Sequence, residues 1–258
     1  MKLHFASGWS VLAVVAALIS GTAQAVDAAQ AVTDGMTTAS AVAWPVSGQE
    51  ASASGVFLNS SGDVLTARHA VIDCVSLYVV KDARVVEATI LALDPTLDLA
   101  VLRTSFHPAL SATLAQSAPG NGSGVFTESY VGLQRMADRS SVLSNALTVP
   151  GDGALYLLSG ALPGASGSAV LGSGGLMLGM VVERVARDRV VAELRVGRAP
   201  IPDASRGEIR IRAIAAAQIE QFLRAAAIPS VRSDLAQLGP RQSPAARAAT
   251  LAVGIHCR

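Results

Sequence analysis

Charge is scarce in this chain. Charged residues make up 15% of 258, and the formal net charge is +1. There is no basic surplus to hold nucleic acid and no acidic tail. Cysteine is scarcer still: two residues, Cys74 and Cys257, at no metal-binding spacing. Histidine occurs four times, at 4, 69, 107 and 256, which limits any chemistry that needs an imidazole base. Apart from the leader, no stretch resembles a transmembrane span. What the chain has in quantity is apolar residues, at 51%. That supplies a sizeable core and excludes bulk disorder. The length fits one large all-β or α/β domain, or two small subdomains sharing a core.

Residues 1–25 read as a signal peptide. Lys2 and His4 make a basic start, Val11–Ile19 is the apolar stretch, and Ala23-Gln24-Ala25 is a small-x-small cleavage site. The apolar stretch falls short of the roughly 20 residues a membrane-spanning helix needs; the alternative is an uncleaved anchor. Cleavage leaves 19 basic and 19 acidic residues. The expectation is an exported protein, periplasmic or secreted, with no membrane association after cleavage. In an oxidising compartment an even pair of cysteines is expected to form a disulfide, Cys74–Cys257. Closing so long a loop is worth on the order of 4 kcal/mol. The alternative is two free thiols.

Residues 26–39 lack periodicity and read as a flexible lead. Short β-type runs follow at Gly55–Asn59, Asp63–Ala67, Val75–Val80, Val85–Leu93 and Leu99–Arg103, divided by turns such as Ser60–Asp63 and Asp94-Pro95. QSAPGNGSG at 116–124 reads as a linker. A second set covers Val125–Val131, Val142–Val149, Ala154–Leu158, Ser168–Leu171, Leu176–Val182, Val190–Glu193 and Glu208–Arg212. Many short strands at this spacing predict an all-β sandwich or a pair of barrels. Ala213–Ala227 is alanine-rich with a stripe of Ile214, Ile219, Phe222 and Leu223, and predicts a helix ended by Pro229. The tail, 229–258, is expected to run over the surface to Cys257.

Ser166 sits in LPGASGSAV, between two glycines. Alone it fits an ordinary glycine-rich turn as well as a nucleophile. A nucleophilic serine needs a base, and the base needs an orienting acid. His69 ends a strand-turn-strand, SGVFLNSSGDVLTARHA. Asp98, in ALDPTLDLAVLR, heads an apolar strand between Leu97 and Leu99. A carboxylate so flanked is partly buried and needs a partner, which an imidazole N–H supplies. His107-Pro108 reads as loop surface, and His256 beside Cys257 is too small a cluster for a metal. No metal or cofactor is expected.

These segments resemble the trypsin-like serine peptidases of the chymotrypsin fold, especially the bacterial branch that includes the HtrA/Do-type proteases. The residues that carry the resemblance are Leu65-Thr66-Ala67-Arg68-His69-Ala70-Val71, Asp98-Leu99-Ala100-Val101-Leu102 and Pro163-Gly164-Ala165-Ser166-Gly167. It covers roughly residues 50–185, in the chain order His, Asp, Ser. An α/β-hydrolase would place the serine first and the histidine last. The resemblance implies two six-stranded antiparallel β-barrels with a C-terminal α-helix. A peptidase domain would span 40–228: barrel 1 about 40–115, barrel 2 about 124–212 and helix 213–227. It also implies that the substrate is a protein or peptide.

The chemistry then assigns roles. Ser166 would attack a carbonyl, His69 would carry the proton, and Asp98 would hold the imidazole. The N–H groups of Gly164 and Ser166 would form the oxyanion hole, each worth roughly 3 kcal/mol of barrier. The resemblance, not the chemistry, implies the specificity pocket: the strand after the serine, Gly179 to Arg184 with Val182, Glu183 and Arg184, would line it, with Gly160 near its base. No acid stands at 160, so cleavage after a small or apolar residue is expected rather than after Arg or Lys. For Arg184 an exposed strand position is the expectation. Ala165 replaces the aspartate that digestive trypsins use to receive a new N-terminus, so that activation route is not expected. With few residues after the helix, the PDZ domain of HtrA-type proteins and the peptide sensing that goes with it are not expected. The other readings are a silent protease-fold module that binds a peptide or protein, and an esterase using the same chemistry.

Overall fold

The structure, a computed structural model, describes residues 52–151, 154–159, 164–186 and 209–258. The predicted signal peptide, the flexible lead, the strand at 190–193 and Gly160 lie outside these residues. The first six strands are β1 (Ala53–Phe57), β2 (Asp63–Ala67), β3 (Leu77–Lys81), β4 (Arg84–Glu87), β5 (Thr89–Asp94) and β6 (Leu99–Arg103). Next come β7 (Thr113–Ala115), β8 (Gly124–Val125), helix α1 (Tyr130–Arg135), β9 (Ala146–Val149), β10 (Leu155–Ser159), β11 (Ala169–Leu171), β12 (Met177–Ala186) and β13 (Ile209–Ala215). The chain closes with α2 (Ala216–Ala225), β14 (Val231–Ser233), α3 (Pro244–Leu251) and β15 (Ala252–Cys257).

The fold is mostly β, built as two curled sheets in the manner of a chymotrypsin-like pair of barrels. The first sheet runs β4-β3-β15-β1-β2-β6-β5 and the second β14-β7-β12-β13-β10-β9-β8, with β11 alongside β12. The described strands therefore number seven in the first sheet, where six were expected. The extra one comes from the far end of the chain.

Strand β6 accounts for its own apolar run. Its side chains alternate across the sheet. Ala100 and Leu102 face the interior of the first barrel with Phe57, Val64, Val79 and Ile255. Leu99 and Val101 face the other way, into a core shared with Leu114, Phe126, Met180, Ile214 and helices α2 and α3. A strand buried on both faces has no polar side to show, so its sequence is apolar throughout. The same division places Val64 in one cluster and Leu65 in the other. A third cluster, around Leu157, Val170, Val181 and Ile211, fills the second barrel.

Several predicted boundaries shift. The run 85–93 is two strands broken at Ala88, whose N–H bonds to the Leu77 carbonyl. The run 125–131 shortens to β8, because Ser129 caps α1 by accepting from the Gly132 N–H. The predicted helix starts three residues late. Ala213 and Ile214 pair with Val181 and Met180 in β12 instead. Sheet pairing here overrides alanine's helix preference.

The tail departs furthest from expectation. Residues 229–241 stay at or near the surface, but from Ser243 on the chain turns inward. Ser243 caps α3, and Pro244 occupies its first turn. Then β15 inserts between β1 and β3, antiparallel to both. Lys81 Nζ donates to the carbonyls of Ala249 at 2.6 Å and Ala252 at 3.0 Å, a cation on the C-terminal end of α3. Cys257 is bonded to Cys74, with their Cα atoms 5.1 Å apart.

His256 of β15 is held below the ordinary histidine pKa, first by burial and then by the charge of Arg258. The unfolded chain therefore binds this proton at a higher pH than the folded chain does. Stability from this group is complete above about pH 6.5 and is lost as the pH falls toward the folded value. The wild type is expected to lose more Tm between pH 7.5 and pH 5 than His256→Gln. Equal slopes by scanning calorimetry would remove His256 as the source.

Candidate active site

The β2–β6 ladder builds the first half of the site. Ala67 pairs with Leu99, so the residues just beyond, Arg68 and Asp98, must also meet. They do: the Arg68 N–H donates to the Asp98 carbonyl at 3.0 Å. The chain then leaves β2 in a single 3-10 turn, Arg68–Ala70, which carries His69. Asp98 adopts φ +57°, in the left-handed region. Among non-glycine residues aspartate enters this region more readily than most. Its carboxylate makes two bonds to His69. Oδ1 accepts the backbone N–H at 2.9 Å, and Oδ2 lies 2.6 Å from Nδ1.

An ionised carboxylate only accepts, so in the neutral imidazole the Nδ1 proton faces Asp98 and the lone pair is on Nε2. The His69 side chain is 50% exposed and that of Asp98 23%. The pair thus sits at the surface, with Asp98 the more covered partner.

The second half is the loop 164–168. Gly164 has φ +87° and Gly167 φ +86°. Gly167 also has no room for a side chain. A Cβ there would come within 1.9 Å of the Ser54 carbonyl oxygen and 2.7 Å of Thr66 Oγ1. Thr66 lies three residues before His69, which brings the serine loop against the strand that delivers the imidazole. The Ser166 carbonyl accepts from the Ser54 N–H at 2.9 Å, and the Gly167 N–H donates to Val181 at 2.8 Å. Ser166 itself is half-buried. Among the described residues, no hydrogen bond joins its Oγ to His69.

The structure brings His69 and Asp98 into contact and docks Ser166's loop on Ser54 and Thr66, the latter in the strand that leads to His69. Of the residues expected at the pocket, Val182 is 2% exposed and sits where the β12–β13 register slips between Val181 and Glu183. A bulge of this kind re-aims side chains. Glu183 is exposed and accepts from Arg212 Nε at 3.1 Å. Arg184 is paired with Ile211 within β12. Sequence reasoning did not single out Ser54 or the Glu183–Arg212 pair. Ser54 stands in the small-residue start of β1; Arg212 gives no local signal, because its partner is 29 residues away. Among the described residues there is no group of three or more His, Cys, Asp or Glu placed to hold a metal. None of the described helices is long and apolar enough to cross a membrane.

Comparison with solved structures finds the inactive form of Rv3671c protease, from M. tuberculosis H37Rv, at 18% identity and a TM-score of 0.46. That match covers 67% of this chain and 82% of the other. A serine endoprotease from Yersinia pestis matches at 20% identity and a TM-score of 0.48, over 67% of this chain and 57% of the other. None of the curated proteins compared with this sequence matches it. The family model described as "Trypsin-like peptidase domain" matches residues 53–180. That stretch holds His69, Asp98 and Ser166, and by it the chain belongs to the trypsin-like peptidases.

Proposed function

We propose that this protein is an exported serine endopeptidase that cleaves peptide bonds through Ser166, His69 and Asp98. The observation that carries the reading is the double bond pattern of Asp98 to His69. It holds the turn and the ring together and leaves Nε2 as the base.

The steps follow from that geometry. Ser166 Oγ attacks the substrate carbonyl carbon while His69 Nε2 takes its proton. The carbonyl becomes an oxyanion, received by the N–H groups of Gly164 and Ser166. The intermediate collapses, the C–N bond breaks, and the imidazolium gives its proton to the leaving amine. Water then repeats the sequence on the acyl-enzyme: His69 takes a water proton, hydroxide adds, and Ser166 leaves with the proton returned. Asp98 stabilises the imidazolium throughout and stays ionised. The substrate would lie along β12 by Val182 and Glu183. Export is supported by the leader sequence and by a disulfide suited to an oxidising compartment.

One observation favours the silent binding module: Ser166 Oγ makes no bond to His69 among the described residues. Such bonds are often loose before substrate arrives. Labelling of the purified mature chain with a fluorophosphonate separates the two. Wild type should label, and Ser166→Ala and His69→Ala should not. No labelling of folded, oxidised wild type would favour the binding module.

A further inference from the structure

We infer that Ser54, on the opposite barrel from Ser166, is a positioning residue that sets the oxyanion hole. The inference rests on the peptidase reading above. Ser54 is 1% exposed, and all of its polar atoms are engaged. Its N–H donates to the Ser166 carbonyl at 2.9 Å. Its own carbonyl accepts from Thr66 Oγ1 at 2.7 Å. Its Oγ accepts from the Tyr130 N–H at 2.8 Å and lies 2.8 Å from the Gly164 carbonyl oxygen.

The hydroxyl has one proton. Tyr130 N–H opens α1 and can only donate, and the Gly164 oxygen can only accept. The proton therefore points at Gly164. The direction of this bond is set from both ends.

The consequence falls on three successive peptide planes. In each, the carbonyl and the N–H point in opposite directions, so fixing one fixes the other. The 164–165 plane is held by Ser54 Oγ on the Gly164 oxygen. The 165–166 plane is held by the Ser168 N–H on the Ala165 oxygen at 2.9 Å, which aims the Ser166 N–H the other way. The 166–167 plane is held by Ser54 N and by Val181. Ser54 thus supplies anchors on both sides of the Ser166 amide. Among the described residues, the Gly164 carbonyl accepts its hydrogen bond from Ser54 Oγ. Glycine at φ +87° has no Cβ to resist rotation, so that hydroxyl limits how far the Gly164 backbone can turn. Because Ser54 belongs to β1, the hole is set by contact with the first barrel and not by the second alone.

Ser54→Ala removes the hydroxyl and keeps both backbone bonds. Loss of one oxyanion donor costs about 10²–10³-fold, and loss of its alignment should cost less. The expectation is kcat lower by about 10–100-fold on a fluorogenic peptide, with KM within about twofold. Phosphorylation of Ser166 by diisopropyl fluorophosphate, which has little substrate surface, should slow by the same factor. Ser54→Thr keeps the hydroxyl and should restore most of the rate. Ser54→Cys keeps the shape with a weaker donor and should fall between, and it serves if the alanine variant does not fold. A lowered Tm with kcat within twofold of wild type in Ala or Cys would overturn the proposal and leave Ser54 a purely structural residue. Wild type that is not phosphorylated by the reagent at all would overturn the peptidase reading and this inference together.

Discussion

Asp98→Asn should lower kcat/KM by about 10⁴-fold while leaving the protein folded. Asparagine tolerates the left-handed backbone that this position requires, φ +57°, so the β2–β6 turn survives. Its side-chain oxygen can still accept the His69 backbone N–H that Oδ1 accepts now. What changes is the atom opposite Nδ1. An amide nitrogen there donates, so Nδ1 must accept and the proton moves to Nε2. Nε2 then cannot take the Ser166 proton, and the imidazolium loses its counter-charge. In a serine triad this wrong tautomer costs about 10⁴-fold. Asp98→Ala is the informative contrast. It loses both bonds to His69 and places alanine in a region it avoids, so it should lower Tm as well as activity. A Tm for Asp98→Asn within about 2 °C of wild type, with the rate loss above, would assign the effect to the tautomer. Activity within tenfold of wild type would mean that Asp98 does not orient the base.

Removing the disulfide should be the largest change in stability. The bond joins positions 183 residues apart, and in the chain-entropy account loops of that length gain about 5 kcal/mol, against a usual 2–4. Its position adds to this. Cys257 ends β15, the strand that lies between β1 and β3, and Cys74 lies five residues after His69. Without the bond, β15 is held by its two ladders, by Val253 and Ile255 in the first core, and by Lys81 on α3. The Cys74→Ser/Cys257→Ser variant should lose about 2–5 kcal/mol and about 10 °C of Tm. Calorimetry of the double variant, with reduced wild type beside it, checks both. A shift under about 2 °C would mean that the ladders alone hold the strand.

The parts of the fold visible in sequence are those whose cause is local. Asp63–Ala67 and Leu99–Arg103 were legible to the residue, since a short apolar run between turn residues has few other fates. Strand β15 was not. Ala252–Cys257 is six residues after a Pro-, Arg- and Ala-rich stretch, and it becomes a strand only because β1 and β3 offer it an edge on each side. Ala213 and Ile214 read as helix for the same reason in reverse, since their pairing with β12 is invisible locally.

The candidate site divides the same way. Residue type, chain order and the family resemblance single out His69, Asp98 and Ser166 as candidates, because each sits in a motif whose neighbours restrict it. The sequence by itself determined the all-β class, the apolar runs of the central strands and the supply of one imidazole, one carboxylate and one hydroxyl in that order. Only the tertiary structure decided that Arg68 and Asp98 meet just past the end of the β2–β6 ladder, that the C-terminal strand joins the first sheet, and that Ser54 reaches Gly164 across 110 residues of chain. Those contacts depend on register and on barrel docking, which are set by the summed burial of many side chains and by no single stretch of sequence.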